Sequence, residues 1–217
     1  MENLIQGIDV SRWQGTGINW QQVKSAGYEF VFIKATDGSA YKQAFIEGAK
    51  KQALDAFNAG LKIGYYHFAH PSSSPSVQAD ALSEASYFIT QISVNFPKPN
   101  FPLVVDFEDD GMQMNAHDAD IWLTSFQQKI ANAGYELMLY TYAVYSDQHL
   151  PSNHSHASNP LWIAKYPKPV NLNNPALPAH GWTEWQIWQY SESGVVQGIS
   201  GNAVDLNVMK KDFFDKY

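Results

Sequence analysis

The sequence predicts an α/β protein, an irregular TIM-barrel-like β/α barrel in a single domain over residues 1–217, with about eight strands and about five helices. Three observations carry that fold class. Short β-type runs alternate with helical stretches through the first two thirds of the chain, the pattern of βαβ units around a parallel sheet. The last third is too rich in proline for long helices, yet strand-like runs continue. No linker, internal repeat or low-complexity segment divides the 217 residues, an ordinary length for one barrel. Closure also removes the sheet edges that an open arrangement would have to protect.

The elements follow in order. Ile8-Asp9-Val10 ends a first strand, and Asn19–Ala26 forms a short helix stopped at Gly27, where a left-handed cap suits glycine. Phe30–Ala35 is the second strand. Residues 43–59 then place Phe45, Ala49, Ala53 and Phe57 at helical spacing before Gly60. Leu61–Phe68 is the third strand, and residues 76–92 set Ala81, Ala85, Phe88 and Ile92 on one helical face after a Ser-Pro-Ser cap region. Leu103–Phe107 is the fourth strand. A helix over 116–133 carries Ile121, Trp122, Phe126 and Ile130, and Leu137–Tyr142 is the fifth strand. Pro151, Pro160, Pro167, Pro169, Pro175 and Pro178 then exclude long helices, leaving Leu161–Ala164, Thr183–Tyr190 and Val204–Val208 as strands.

Composition narrows the function. The absence of cysteine excludes disulfides, thiolate metal sites and a cysteine nucleophile. A formal net charge of −7 argues against a nucleic-acid binder held by phosphate contacts. No apolar run approaches the roughly 20 residues of a membrane span, so no membrane partner is expected. Twelve Tyr, twelve Phe and seven Trp exceed what packing alone requires and suit flat ligands such as sugars.

Reacting groups of a β/α barrel sit where strands end at the carboxyl face. The first strand ends in Asp9, the fourth in Asp106-Phe107-Glu108, and the last begins around Asp205. Side chains at i and i+2 of a strand share a face, so Asp106 and Glu108 project together. Two carboxyls on one face cannot both ionise easily, which keeps one protonated near neutral pH as a general acid. A plain acidic loop, Glu108-Asp109-Asp110, is the competing interpretation of the same residues. Lys34, at the end of an apolar strand, is expected to pair with a carboxylate. His67 is expected to be a satisfied core histidine rather than a metal ligand, since no second histidine stands at ligand spacing. His149, His154 and His156 are expected on a solvated loop, and at least one of Trp182, Trp185 and Trp188 is expected to line the barrel interior or its mouth. Paired acids beside an aromatic groove describe glycoside hydrolysis. They describe a metal-dependent deacetylase or a non-catalytic carbohydrate-binding barrel equally well.

Taken together, the motifs are more specific. Gly7-Ile8-Asp9-Val10-Ser11-Arg12-Trp13-Gln14-Gly15 resembles the opening signature of the glycoside hydrolase family 25 lysozymes. Phe32–Gly38, Gly64–Phe68, Asp106–Glu108, Leu161–Tyr166, Trp188–Tyr190 and Val204–Asn207 follow in the family's order, so the resemblance covers about residues 5–212. It implies an N-acetylmuramidase that cleaves the β-1,4 bond from N-acetylmuramic acid to N-acetylglucosamine in bacterial peptidoglycan. No metal and no cofactor are expected, and the chain is expected to be a monomer. Carried over by motif, Glu108 is the general acid, with Asp106, Asp9 and Asp205 completing the acidic cluster. Lys34, Tyr66, Tyr140, Trp162 and Trp188 are the implied groove residues. Asp37 stands where many relatives have glutamate. The start of the chain shows no secretory signal pattern. Action at the wall is therefore expected to need release through a phage holin or another export route.

Overall fold

The computed structural model describes residues 4–172 and 181–217; Met1–Asn3 and the expected Pro175 and Pro178 lie outside them. Eight strands close a barrel in chain order: β1 (Leu4–Val10), β2 (Phe30–Asp37), β3 (Lys62–Phe68), β4 (Leu103–Asp106), β5 (Leu137–Tyr142), β6 (Leu161–Ala164), β7 (Ile187–Gly194) and β8 (Val204–Lys210). Neighbours from β1 to β7 run parallel, and β8 closes the barrel antiparallel to both β7 and β1.

Alternation along the strands divides the apolar residues into two layers. Phe30, Phe32, Val104, Met138, Trp162, Ile187 and Met209 fill the barrel interior. Ile8, Val31, Ile33, Ile63, Val105, Leu139, Ile163, Trp188 and Val208 face outward beneath the helices. Gly7 and Gly64 make room for the two interior phenylalanines. Gly7 pairs with Phe30 and Gly64 with Phe32 in register, and a Cβ on either glycine would come within 2.4 Å of the ring.

The helices α1 (Trp20–Ser25), α2 (Gln43–Asn58), α3 (Val77–Asn95) and α4 (Ala116–Asn132) match the periodic stretches. Gly27 has φ +95° just past the cap of α1, the left-handed conformation its position required. Trp122 on α4 donates its indole N–H to Asp80 on α3 at 2.8 Å, tying the two helices together. Two short helices went beyond expectation among the described residues: α5 (Ala143–His149), and α6 (Lys211–Lys216), whose Phe213 helps close the barrel floor.

Two expectations are corrected. The seventh strand begins at Ile187, four residues later than Thr183, so Trp182 and Trp185 precede it. The histidine loop is also less solvated than expected: His154 and His156 are buried and stacked, and His156 Nε2 lies 2.9 Å from Asp120. His149 is half-buried against Tyr145.

Candidate active site

Each strand that carries an apolar residue inward near the floor carries a polar or aromatic one inward nearer the mouth. Following the alternation of two, Phe32 leads to Lys34, Gly64 to Tyr66, Val104 to Asp106, Met138 to Tyr140 and Ile187 to Gln189. The antiparallel β8 supplies Asn207 and Asp205 in the reverse sense, opposite Gly7 and Asp9. The result is a cavity of about 610 Å³ at the carboxyl end of the parallel strands. Asp9, Asp106, Glu108, Asp205, Lys34, Tyr66, Tyr140 and Trp162 all line it.

Trp188 does not. Its neighbour Gln189 points inward, so alternation turns the Trp188 indole outward into the layer beneath the helices, where it is fully buried and donates to the Lys165 carbonyl at 2.8 Å. Trp182 and Trp185 are likewise part of that outer layer. The expectation that Trp188 is a groove residue is therefore corrected, and the groove takes its tryptophans from Trp162 and Trp13.

The four carboxyls are held differently. Asp9 Oδ2 accepts from Gln189 Nε2 and Asn207 Nδ2, both at 2.8 Å, while burial pushes its pKa to about 6 against those two bonds. Gln189 and Asn207 are fixed in turn: Tyr140 and Tyr166 donate to Gln189 Oε1, and Trp162 donates to Asn207 Oδ1 at 2.9 Å. Asp205 faces Asp9 across the β1–β8 register. Burial, then the Asp9 charge, raises it to about 9, so it is a neutral acid at pH 7. Glu108 is lifted to about 7, first by burial and then by the charges of Asp9 and Asp110. Asp106 is also raised, by burial and by Glu108, with Lys34 pulling the other way. One oxygen of Asp106, Oδ1, is buried without a hydrogen-bond partner.

Around this cluster the polar groups are committed elsewhere. Lys34 pairs with Asp37 at 2.5 Å, as its strand-end position suggested, and lies over the Phe68 ring at 4.2 Å. His70 bridges Asp37 and Asp109 at 2.8 and 2.9 Å, tying the end of β2 to the loops that follow β3 and β4. His67 is a core histidine: Nδ1 meets Thr36 and Nε2 meets Glu84, both at 2.8 Å, between the rings of Phe88 and Phe126. Sequence reasoning missed Trp13, Tyr142, Tyr166, Gln189, Glu192 and the support from Asn207. The available signal was a glutamine or asparagine inside an apolar strand, where an inward polar side chain needs a partner.

The arrangement is an acid donor and an ionisable partner at the base of an open aromatic cleft, with a second pair of carboxyls sharing one charge beside them. A family model for "Glycosyl hydrolases family 25" matches residues 8–199. Lysozyme M1 of Streptomyces globisporus is 34% identical over 212 residues, covering 94% of this chain and 67% of that one. The autolytic lysozyme of Clostridium acetobutylicum is 32% identical over 204 residues, and this chain spans about half, 54%, of its length. The crystal structure of the bacterial lysozyme from Streptomyces coelicolor is similar at 33% identity with a TM-score of 0.77, covering 94% of this chain and 91% of that one.

Proposed function

The chain belongs to the glycosyl hydrolases family 25, and from that premise we propose how its cavity cuts peptidoglycan. It is a glycoside hydrolase of the lysozyme type, acting on the β-1,4 bond between N-acetylmuramic acid and N-acetylglucosamine in bacterial cell walls. The observation that carries the residue assignment is Glu108: half-buried in the wall of a solvent-open cavity, it holds its proton up to about pH 7.

Glu108 protonates the glycosidic oxygen as the bond breaks. The positive charge that develops at the sugar is stabilised by the anionic pair centred on Asp9, which Gln189 and Asn207 hold in place. Asp106 has a separate task. Its unpartnered Oδ1 suits the N–H of the substrate's 2-acetamido group, whose carbonyl oxygen then attacks the anomeric carbon. Accepting that N–H stabilises the Asp106 anion and leaves the shared proton on Glu108, which assigns the two coupled carboxyls their roles once substrate is bound. Water then opens the cyclic intermediate with Glu108 as base, and configuration is retained. The engaged nitrogens of His67 speak against the deacetylase alternative, because the residue offers no free lone pair to the cavity.

Digestion of purified walls followed by mass analysis tests the function: fragments ending in reducing muramic acid are expected, and release of acetate alone overturns the reading. Glu108→Gln is expected to lower the lytic rate by about 10²–10⁴-fold, and retention of more than a tenth of the rate removes Glu108 as the acid. Proton NMR of the first product anomer checks the route, with inversion excluding the acetamide as nucleophile.

A further inference from the structure

Beside the catalytic cavity, across Trp13, lies a second cavity of about 610 Å³ formed where the β1–α1 segment meets the start of α2. Trp13 lines both cavities and is 78% exposed, so it forms a ridge between them. The second cavity has a chemistry unlike the first. Its charged residues are both cations, Arg12 and Lys42, in a protein of net charge −7. The Arg12 guanidinium sits between the Trp13 and Phe45 rings at 4.6 and 4.9 Å, and Lys42 Nζ lies 5.8 Å from Phe45. Among the described residues neither cation forms an ion pair with a carboxylate.

Gln52 provides an independent indication. It lines the same cavity at 2% exposure, and its Nε2 donates to the carbonyls of Ser11 and Gly15 at 2.9 and 2.7 Å. Those two acceptors fix the amide's orientation, leaving Oε1 as a buried acceptor with no partner. A buried acceptor of this kind is costly unless a donor reaches it. The cavity therefore combines an acceptor awaiting an N–H, apolar contact at Ala49 and Phe45, and two cations at the rim.

We propose that this cavity is a binding subsite for the acidic peptide branch carried by the glycan, placed so that a strand crossing Trp13 sets its sugars in one cavity and its peptide in the other. A peptide backbone N–H supplies the donor for Gln52, a short aliphatic side chain fills the apolar part, and a carboxylate meets Arg12 and Lys42. The inference rests on the peptidoglycan reading above and adds that the enzyme reads the peptide as well as the sugars.

The test compares binding of a disaccharide–tetrapeptide with that of the same disaccharide lacking its peptide, for wild type, Arg12→Gln and Lys42→Glu, alongside release of reducing ends from whole walls. The peptide-bearing ligand is expected to bind at least tenfold more tightly to wild type, with the preference lost in both variants and binding of the bare disaccharide unchanged. Equal binding of the two ligands to wild type, or a preference that survives both substitutions, overturns the subsite. A poly(glycerol phosphate) polymer that competes where free tetrapeptide does not overturns it in favour of a phosphate ligand. Wall cleavage with no peptide preference removes the subsite and keeps the muramidase; no wall cleavage removes the reading beneath both.

Discussion

Asp9 and Asp205 face each other across two antiparallel strands, yet only one of them needs to be charged. Asp205, raised to about 9, is a neutral donor beside the Asp9 anion, so a carboxamide reproduces its form at pH 7. Asp205→Asn is expected to keep kcat within about fivefold there, whereas Asp9→Asn removes the anion and is expected to lose at least a hundredfold, on the scale of one electrostatic group in a dry site. Steady-state kinetics on soluble glycan fragments separates the two. Glu108 carries a stability consequence with a definite sign. Its folded pKa of about 7 lies above the usual value of 4.5, so the fold gains nothing from this group at low pH and loses stability as pH rises between the two values. Glu108→Gln is therefore expected to stabilise the protein at pH 8, by up to about 3 kcal/mol, and to leave it unchanged at pH 4. Thermal unfolding at the two pH values checks this, and equal shifts at both contradict the buried-charge account.

At the scale of elements, the small-against-large pairing inside the barrel is the feature most exposed to mutation. A Cβ at position 64 would sit 2.2 Å from the Phe32 ring, with strands on both sides preventing retreat. Gly64→Ala is expected to cost about 1–3 kcal/mol by overpacking, and Phe32→Leu in the same chain to recover part of it. Denaturant unfolding of the single and double variants measures the coupling. The same alternation explains what the sequence made legible. Strands such as Phe30–Asp37 and helices such as Ala116–Asn132 announce themselves through periodicity, and strand-end positions pointed to Asp9, Asp106 and Lys34. Trp188 was carried over from its motif, and periodicity could not correct it because period 2 assigns a face only relative to a known neighbour. Gln189, bound to Asp9, was that neighbour, and its partner lies 180 residues away. The short α5 and α6 carry too few turns for a period to emerge, and the burial of His156 depends on Asp120, which no local pattern announces.

Across the whole molecule the charge is unevenly spread, and this decides how it meets its polymer. Five carboxyls, those of Asp9, Asp106, Glu108, Glu192 and Asp205, line the catalytic cavity, while Arg12 and Lys42 stand together beside the second one. At close range the cations meet the acidic branch of the glycan, but at distances beyond the cavity the net −7 dominates. Walls rich in anionic polymers repel such a surface, and a repulsion between exposed charges is screened over about 10 Å at 0.1 M salt. Adding salt at fixed pH should therefore first strengthen adsorption to walls by weakening the long-range repulsion, and weaken it only when the local contacts at Arg12 and Lys42 are themselves screened. Lys42→Glu should remove the declining part of that curve and leave the rising part. Sedimentation of the protein with purified walls across a salt series reads both limbs. Adsorption that falls from the lowest salt onward would show that local attraction, not net charge, governs the approach.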